Sequence, residues 1–194
     1  SQPVNGVNYI RNSVKAVVDA YHGDVRLYIA DERDPLIQTW ARIFPGILKP
    51  LNEMPADLRE HIRFPETLLE TQGQAYGLYH TTNPKIFFQR EDVWTQASVV
   101  TKGENNNQAQ SLKPYFVIAQ LPNNKDGLEF VKIVTFTPAN RNNLIALMAG
   151  RSDGENYGKL LVYSLPKSRF IDGPIQIEAR IDQDPTLSGL FTLW

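Results

Sequence analysis

A chain of 194 residues is long enough to bury the core of one domain, and its hydrophobic and aromatic contents are those of a folded globular protein. The 20 basic and 21 acidic residues are interleaved and give a net charge of −1, which excludes the clustered positive charge of a nucleic-acid-binding surface. Cysteine is absent, so disulfides and zinc–thiolate sites are excluded as well. The longest uninterrupted apolar run, residues 144–150, is far shorter than the roughly 20 residues of a membrane-spanning helix, so we expect this chain not to cross a bilayer.

The N-terminal half is predicted to be rich in helix. The apolar spacing in NYIRNSVKAVVDAYHG predicts a first helix, which Asn8 caps and Gly23 ends. The alternation in DVRLYIAD predicts a half-buried strand in which Val25, Leu27 and Ile29 share one face. Asp34-Pro35 is a helix start, and MPADLREHIRF and PETLLETQGQAYGLYH are predicted as two further helices.

The C-terminal half is predicted to be rich in strand. NPKIFFQREDVWTQASVVTKG is expected to be irregular or weakly extended, and ENNNQAQS to be a polar loop. PYFVIAQL, EFVKIVTFT, NLIALMAG and KLLVYSL are runs rich in β-branched and aromatic residues, which predict an antiparallel meander. Short helices with Pro174 and Pro185 in their first turns finish the chain. The predicted class is therefore α+β, in a single domain over residues 1–194.

The segment GRSDGENYGKL superficially resembles a phosphate-binding loop. Such a loop needs glycine five residues before its Gly-Lys pair, but Asp153 stands there. It also needs Ser or Thr after the lysine to ligate magnesium, and Leu160 takes that place. A strand rather than a helix is predicted to follow. The segment is therefore predicted to be a hairpin loop, in which Gly154 and Gly158 supply positive φ angles, and nucleotide binding is not expected.

Asp153, Glu155 and Asn156 in this loop have two interpretations. They either contact a cation or a partner or only solvate the turn, the second being the commoner case. The loop is nevertheless the candidate binding site because it carries more charge than a turn requires. On that hypothesis, alanine at both Arg151 and Asp153 would leave folding nearly intact. The candidate binding residues are Arg141, Asn142, Arg151, Asp153, Glu155, Asn156 and Lys159.

No catalytic residue, metal ligand or cofactor is assigned. His22, His61 and His80 have no local metal-ligand spacing, and each is predicted near a helix end with a structural role. The acidic runs DERD and DQD are read as helix caps, because Asp34 and Asp184 each precede a helix-initiating proline.

Five aromatic residues lie close together in the sequence and have two interpretations. They either line a sugar or peptide groove or form core and subunit contacts, the second being the commoner case. They are Tyr76, Tyr79, Phe87, Phe88 and Trp94.

Four segments together resemble uncharacterised protein family 0182. These are DAYHGDVRLYIADERDPLIQTWARIFPG, HIRFPETLLETQ, FTPANRNNLIALMAGRSDGENYGKLLVY and GPIQIEARIDQDPTLSGLFTLW. The resemblance implies a piece of the large extracytoplasmic region of a bacterial multi-spanning membrane protein, found in cyanobacteria, actinobacteria and some firmicutes. The apolar ending GLFTLW also suggests a cut within a larger protein, the alternative being a native helix docked on the core. The family has no established activity, so the resemblance carries over no functional residue.

Three roles are expected from these observations. The first is an extracytoplasmic domain that binds or docks a cell-envelope protein or glycan, or supports assembly with the transmembrane helices of its parent protein. The second is an envelope hydrolase or transferase that uses a carboxylate and a histidine, which requires such a pair in a concave pocket. The third is a purely structural ectodomain, which predicts neither a sizeable exposed apolar patch nor a polar cleft.

Overall fold

The computed structural model describes residues 8–102, 107–122 and 127–192, and its helices and antiparallel sheets confirm the α+β class. The chain divides into two compact units, an N-terminal unit (residues 1–68) and a C-terminal unit (residues 69–194). The expectation of one domain over 1–194 stays a prediction. The first seven residues, residues 104–106 of the asparagine-rich segment, and the apolar end at Leu193 and Trp194 lie outside the described residues.

The N-terminal unit contains a three-stranded sheet and two helices. β2 is central, with β1 antiparallel on one side and β3 parallel on the other. The elements are β1 (Val14–Val18), β2 (Val25–Ile29), α1 (Pro35–Ile43), β3 (Leu48–Pro50), a 3-10 turn (Leu51–Glu53) and α2 (Ala56–Glu60).

The helix predicted between Asn8 and Gly23 is wrong, because this segment forms β1 and the turn into β2. Val14, Val17 and Val18 are β-branched, and such residues favour strands when a partner strand is available. β2 supplies that partner, and the turn uses Gly23 at a φ of 76°. The strand predicted at Val25–Ile29 is confirmed.

The buried side of β2 differs from the one expected. Val25 is 59% exposed, whereas Tyr28 on the opposite face is only 2% exposed and is among the largest buried side chains. A hydrophobicity pattern ranks tyrosine below valine, but a tyrosine ring buries more surface than a valine side chain once it is enclosed. The sheet therefore packs its tyrosine inward.

α1 begins as the sequence predicts. The Asp34 carboxylate accepts a hydrogen bond from Leu36 N at 3.0 Å, and Pro35 occupies the first turn. Asp34 is buried and also accepts hydrogen bonds from the hydroxyls of Ser13 and, at 2.6 Å, Tyr9. These two hydroxyls, Ser13 first, hold the pKa of the Asp34 carboxyl below its ordinary value.

One side of α1 and the turn after it is an exposed apolar stripe, which we call the α1 stripe. Trp40 and Phe44 stack there with ring centroids 5.6 Å apart. Each side chain of the stripe is about half exposed. Its members are Leu36, Trp40, Ile43, Phe44 and Ile47.

The C-terminal unit is built around a five-stranded antiparallel sheet, and α3 leads into it. The meander predicted from four apolar runs is confirmed as β7, β8, β9 and β10. The elements are α3 (Glu66–Tyr79), α4 (Pro84–Gln89), β4 (Trp94–Gln96), β5 (Ser98–Lys102), β6 (Asn107–Ser111), β7 (Tyr115–Ala119), β8 (Glu129–Pro138), β9 (Ala146–Arg151), a 3-10 turn (Gly154–Asn156), β10 (Leu160–Ser164), α5 (Pro174–Gln183) and α6 (Pro185–Thr192).

β8 is the central strand of the sheet because it is long enough to have three neighbours. β9 pairs along one side, while β7 and β4 pair with the first and last parts of the other side. β10 pairs with β9 and ends the sheet. β5 and β6 form a separate two-stranded hairpin.

The register divides the side chains of the sheet between two faces. Val131, Ala149 and Leu161 lie on one face, where they join Leu121 in a hydrophobic cluster. Val134, Met148 and Val162 lie on the other face, opposite one another across neighbouring strands. We call this second side the helix face, because α3 packs on it.

α3 lies close to β8 and β4 because two glycines face the sheet. A Cβ atom added at Gly73 would lie 3.5 Å from the side chains of Val134 and Phe136, an ordinary contact. A Cβ atom added at Gly77 would lie 2.5 Å from the backbone oxygen of Trp94, which real Cβ atoms essentially never do. Glycine at position 77 therefore permits the close approach of this helix.

Two predictions about the middle of the chain are wrong in part. The stretch expected to be irregular or weakly extended is extended at β4 and β5. It also contains α4, which Asn83 caps by accepting hydrogen bonds from Lys85 N and Ile86 N. The segment expected to be a polar loop contains β6, which pairs with β5. Sheet pairing overrides the poor strand propensity of its asparagine and glutamine residues. Both C-terminal helices are confirmed.

No helix within residues 8–102, 107–122 and 127–192 combines the length and the apolar content that crossing a membrane requires.

The acid sensitivity of the N-terminal unit should depend on Asp34. Because its pKa is lower in the folded than in the unfolded chain, its contribution to stability is complete above about pH 4 and is lost as pH falls through the folded value. Urea denaturation of wild type between pH 6 and pH 2 should therefore show a steeper loss of stability than that of Asp34→Asn. Equal slopes in the two proteins would contradict this assignment.

Gly77→Ala and Gly73→Ala form a matched pair that tests the close approach of α3. Both changes favour the helix intrinsically, by about 1 kcal/mol. Gly77→Ala should nevertheless lower the free energy of unfolding by about 1–3 kcal/mol because its methyl group overlaps the backbone of Trp94. Gly73→Ala should be neutral or stabilising. Denaturant titrations followed by circular dichroism measure both, and equal effects would refute the packing described.

Candidate functional site

A groove on the helix face of the C-terminal unit is the candidate site. Gln72, Ala75, Tyr76 and Tyr79 are spaced three and four residues apart, which places them along one side of α3. The glycines of α3 point to β8 and β4, and this side of the helix lies beside β9 and β10, where Met148 is buried and Leu160 and Val162 are half-buried. The resulting groove has a volume of about 360 Å3, and its floor is formed by Met148, Leu160 and Val162.

Of the five aromatic residues singled out in the sequence, Tyr76 and Tyr79 line the groove. Phe87 of α4 supports Tyr79 from behind, with ring centroids 5.6 Å apart. Trp94 is half-buried and packs edge-on against Tyr76, with ring centroids 6.0 Å apart. Phe88 is 82% exposed and does not line the groove. Two of the five residues therefore line a groove and two pack against them, while a sugar or peptide ligand and a subunit contact both stay predictions.

His80 follows α3 and lies beneath this aromatic wall. Its ring stacks on Trp94 with centroids 3.9 Å apart, and its side chain is 7% exposed. Nδ1 lies 3.1 Å from the carbonyl oxygens of both Tyr76 and Gly77, so it must carry a proton and donate it. Nε2 lies 3.5 Å from Asp92 Oδ2 and is itself buried. Both ring nitrogens thus face the protein, and His80 fixes the end of α3.

The other histidines lie outside the groove. His22 is exposed in the turn between β1 and β2, with Nδ1 3.5 Å from Asp19 Oδ2. His61 is exposed at the end of α2. Asp184 caps α6 by accepting from Thr186 N, as Asp34 caps α1, so the capping interpretation of both acidic runs is confirmed. Among the described residues, no group of three or more His, Cys, Asp or Glu residues is placed to hold a metal ion.

The charged loop proposed from the sequence is a hairpin loop, and its glycines at 154 and 158 have positive φ angles. Its first charge is turned inward, because Arg151 is buried and forms a bidentate ion pair with Glu129, with an Nη2–Oε2 distance of 2.6 Å. Asp153 Oδ2 accepts a hydrogen bond from Phe130 N at 2.6 Å. Both side chains therefore join the loop to the start of β8.

The remaining charges of the loop are at the surface. Lys159 Nζ donates to Asn156 Oδ1 at 2.9 Å within the loop, and Glu155 is exposed. Arg141 and Asn142 are exposed in the connection between β8 and β9, at the opposite end of β9 from the loop. The structure does not bring the seven candidates into one site, and a binding role for any of them stays a prediction.

Sequence reasoning missed the floor of the groove and its position. The wall had a readable signal, because Gln72, Ala75, Tyr76 and Tyr79 follow a helical repeat opposite Gly73 and Gly77. The floor had no such signal in the sequence. Sheet register and the position of α3 decide which face of β9 and β10 meets a helix.

A second hollow, of about 350 Å3, lies within the N-terminal unit. Ile29, Ala41 and Pro50 line it together with the charged or polar side chains of Glu32, Gln38 and Arg42. It has no aromatic wall, and the stacking surface that favours the groove is missing from its lining.

Comparison with known proteins places the chain in a family. The model of the uncharacterised protein family UPF0182 matches residues 1–194. A UPF0182 protein of Desulforamulus reducens is 49% identical over 97% of this chain, one of Pelotomaculum thermopropionicum is 49% identical over 100%, and one of Microcystis aeruginosa is 51% identical over 96%. The chain spans only about a fifth of the length of these relatives, between 19% and 21%. No solved structure matches it.

The sequence alone predicts that alanine at Arg151 leaves folding nearly intact, but the buried ion pair with Glu129 predicts a large loss of stability. Arg151→Ala leaves the buried Glu129 carboxylate without its guanidinium, which should lower the free energy of unfolding by about 3–5 kcal/mol. Glu155→Ala, an exposed neighbour, should change it by less than about 0.5 kcal/mol. Urea denaturation measures both. A loss below about 1 kcal/mol in Arg151→Ala would show that the pair is not structural.

Proposed function

Because this chain belongs to the uncharacterised protein family UPF0182, we propose that it is a docking domain within a larger membrane protein and that its groove binds a cell-envelope partner. The extracytoplasmic location and the association with parent transmembrane helices rest on the family resemblance. The docking function rests on one observation, which is the groove. Its wall is formed by Tyr76 and Tyr79 of α3, and its floor by β9 and β10.

The composition of the groove supports a protein partner over a glycan. Its floor is apolar, and the side chains that line it are uncharged at neutral pH. Sugar-binding surfaces combine an aromatic platform with several side-chain hydrogen bonds. The hydrogen-bonding side chains that line this groove are limited to the Gln72 amide and two tyrosine hydroxyls. A partner that presents apolar side chains suits this lining better.

The position of His80 argues against the hydrolase or transferase alternative. A general base needs a nitrogen lone pair within hydrogen-bonding reach of a substrate. In His80 one nitrogen donates to backbone carbonyls and the other is buried beside Asp92. This pair therefore stabilises the wall of the groove and lies outside its lining.

The exposed apolar surface argues against a purely structural ectodomain. Monomeric proteins seldom leave a contiguous stripe of large apolar side chains in water without an interaction to make there. Both units carry such surface, the α1 stripe in one and the groove in the other. Docking accounts for these features and a passive spacer does not.

Ligand-dependent thermal unfolding tests this function, with apolar decapeptides, muropeptide fragments and soluble lipid headgroups as probes. A probe at 100 times its Kd adds about 2.7 kcal/mol of stability, which raises the Tm of a domain of this size by roughly 5–10 °C. We expect such a shift with a peptide, its loss in Tyr79→Ala, and its retention in Phe88→Ala. The last variant removes an aromatic side chain outside the groove.

Two outcomes would reject the docking function of the groove. One is a flat response of the wild type to every probe. The other is an equal shift in wild type and Tyr79→Ala, since that ligand would then bind elsewhere.

A further inference from the structure

β10 forms both the floor of the groove and the open edge of the sheet. Within the described residues, it pairs with β9 on one side and with no strand on the other. An open edge carries backbone donors and acceptors that another strand can use. The groove thus has a second kind of binding group beside its apolar side chains.

The register fixes which backbone groups of β10 point to this open edge. Lys159 O accepts from Arg151 N, and Leu165 N donates to Ile145 O. In an antiparallel pair, alternate residues bond to the same neighbour. The odd-numbered residues of β10 therefore bond to β9. The N–H and C=O groups of Leu160, Val162 and Ser164 point away from it.

The same even-numbered residues place their side chains toward the groove. Leu160 and Val162 line it from below, while Tyr76 and Tyr79 form the wall above. A strand added beside β10 would pair through its backbone with Leu160, Val162 and Ser164. It would also place every second side chain on the helix face, where α3 stands.

Length and charge indicate which polypeptide supplies this strand. This chain covers 21% of the relative from Pelotomaculum thermopropionicum, so about four fifths of that protein lies outside it. The lining of the groove is uncharged, which suits an uncharged apolar segment and gives no anchor for an anionic or cationic one.

We infer that the groove accepts an extended, apolar segment of the longer UPF0182 polypeptide, which adds to the sheet as a strand along β10. This inference rests on the proposed docking function and names the partner and the mode of binding at the same site. The backbone of β10 supplies affinity that is independent of the sequence of the segment. The pocket between Tyr76, Tyr79 and Val162 selects its side chains.

The test uses overlapping 15-residue peptides that cover the Pelotomaculum thermopropionicum relative outside the matched region. Binding of the intact chain to these peptides is measured by fluorescence anisotropy. Ser164 has the same outward N–H as Val162 but does not line the groove. Ser164→Pro removes that N–H without removing a hydrogen bond to β9, a substitution that edge strands tolerate. Ser164→Ala keeps the N–H. We expect a bound peptide to lose at least tenfold in affinity with proline and to change little with alanine.

Amide hydrogen exchange gives a second reading that needs no variant. Without peptide, the amides of Leu160, Val162 and Ser164 should exchange faster than those of Leu161 and Tyr163, which bond to β9. Saturating peptide should slow the first group at least tenfold. Hydrogen exchange tests strand addition even if Ser164→Pro fails to fold.

The failures of the inference and of the docking function are distinguishable. If a peptide binds, weakens in Tyr79→Ala and is unaffected by Ser164→Pro, the groove is a docking site but strand addition is wrong. If peptides of the relative fail while a muropeptide or an unrelated envelope peptide binds, the assigned occupant is wrong. If no probe binds and no amide is protected, both proposals fall.

Discussion

The close packing of α3 on β8 and β4 is the constraint on which the C-terminal unit depends. Gly77 has no room for a side chain because the backbone of Trp94 lies directly beneath it. This contact fixes α3 over β8 and β4 and leaves Leu160 and Val162 of β10 half-buried beside the helix. The groove is therefore a consequence of where the helix packs, and its wall and floor are held by rigid elements.

The same packing explains why a buried histidine lies next to an apolar groove. His80 stacks on Trp94, and its Nδ1 donates to the carbonyl oxygens of Tyr76 and Gly77 in the last turn of α3. The Tyr76 oxygen also accepts from the backbone N–H of His80 at 2.9 Å. The histidine thus holds the last turn of the helix and supports Tyr76 at once. A residue that looks chemically active in the sequence here serves the geometry of the wall.

The sequence predicted elements well where a local signal decides the structure. Asp34-Pro35 fixes a helix start by capping, and the β-branched runs of the meander form strands. It failed where distant pairing decides, as in β1, whose helical apolar spacing loses to its pairing with β2. The seven candidate binding residues are not gathered into one site for a related reason. Arg151 appears as spare loop charge until the fold places Glu129 beside it.

Energetics favour an occupant that belongs to the same polypeptide. Ordering a free peptide of six residues costs about 6–12 kcal/mol of backbone entropy, before any loss from association. Apolar burial returns only about 25 cal/mol per Å2, so backbone hydrogen bonds along β10 have to supply much of the remainder. Joining the segment to the domain through the chain replaces an intermolecular step by an intramolecular one, with an effective concentration that reaches millimolar. A shallow, uncharged groove that would hold a free peptide weakly can therefore be filled securely by a tethered one.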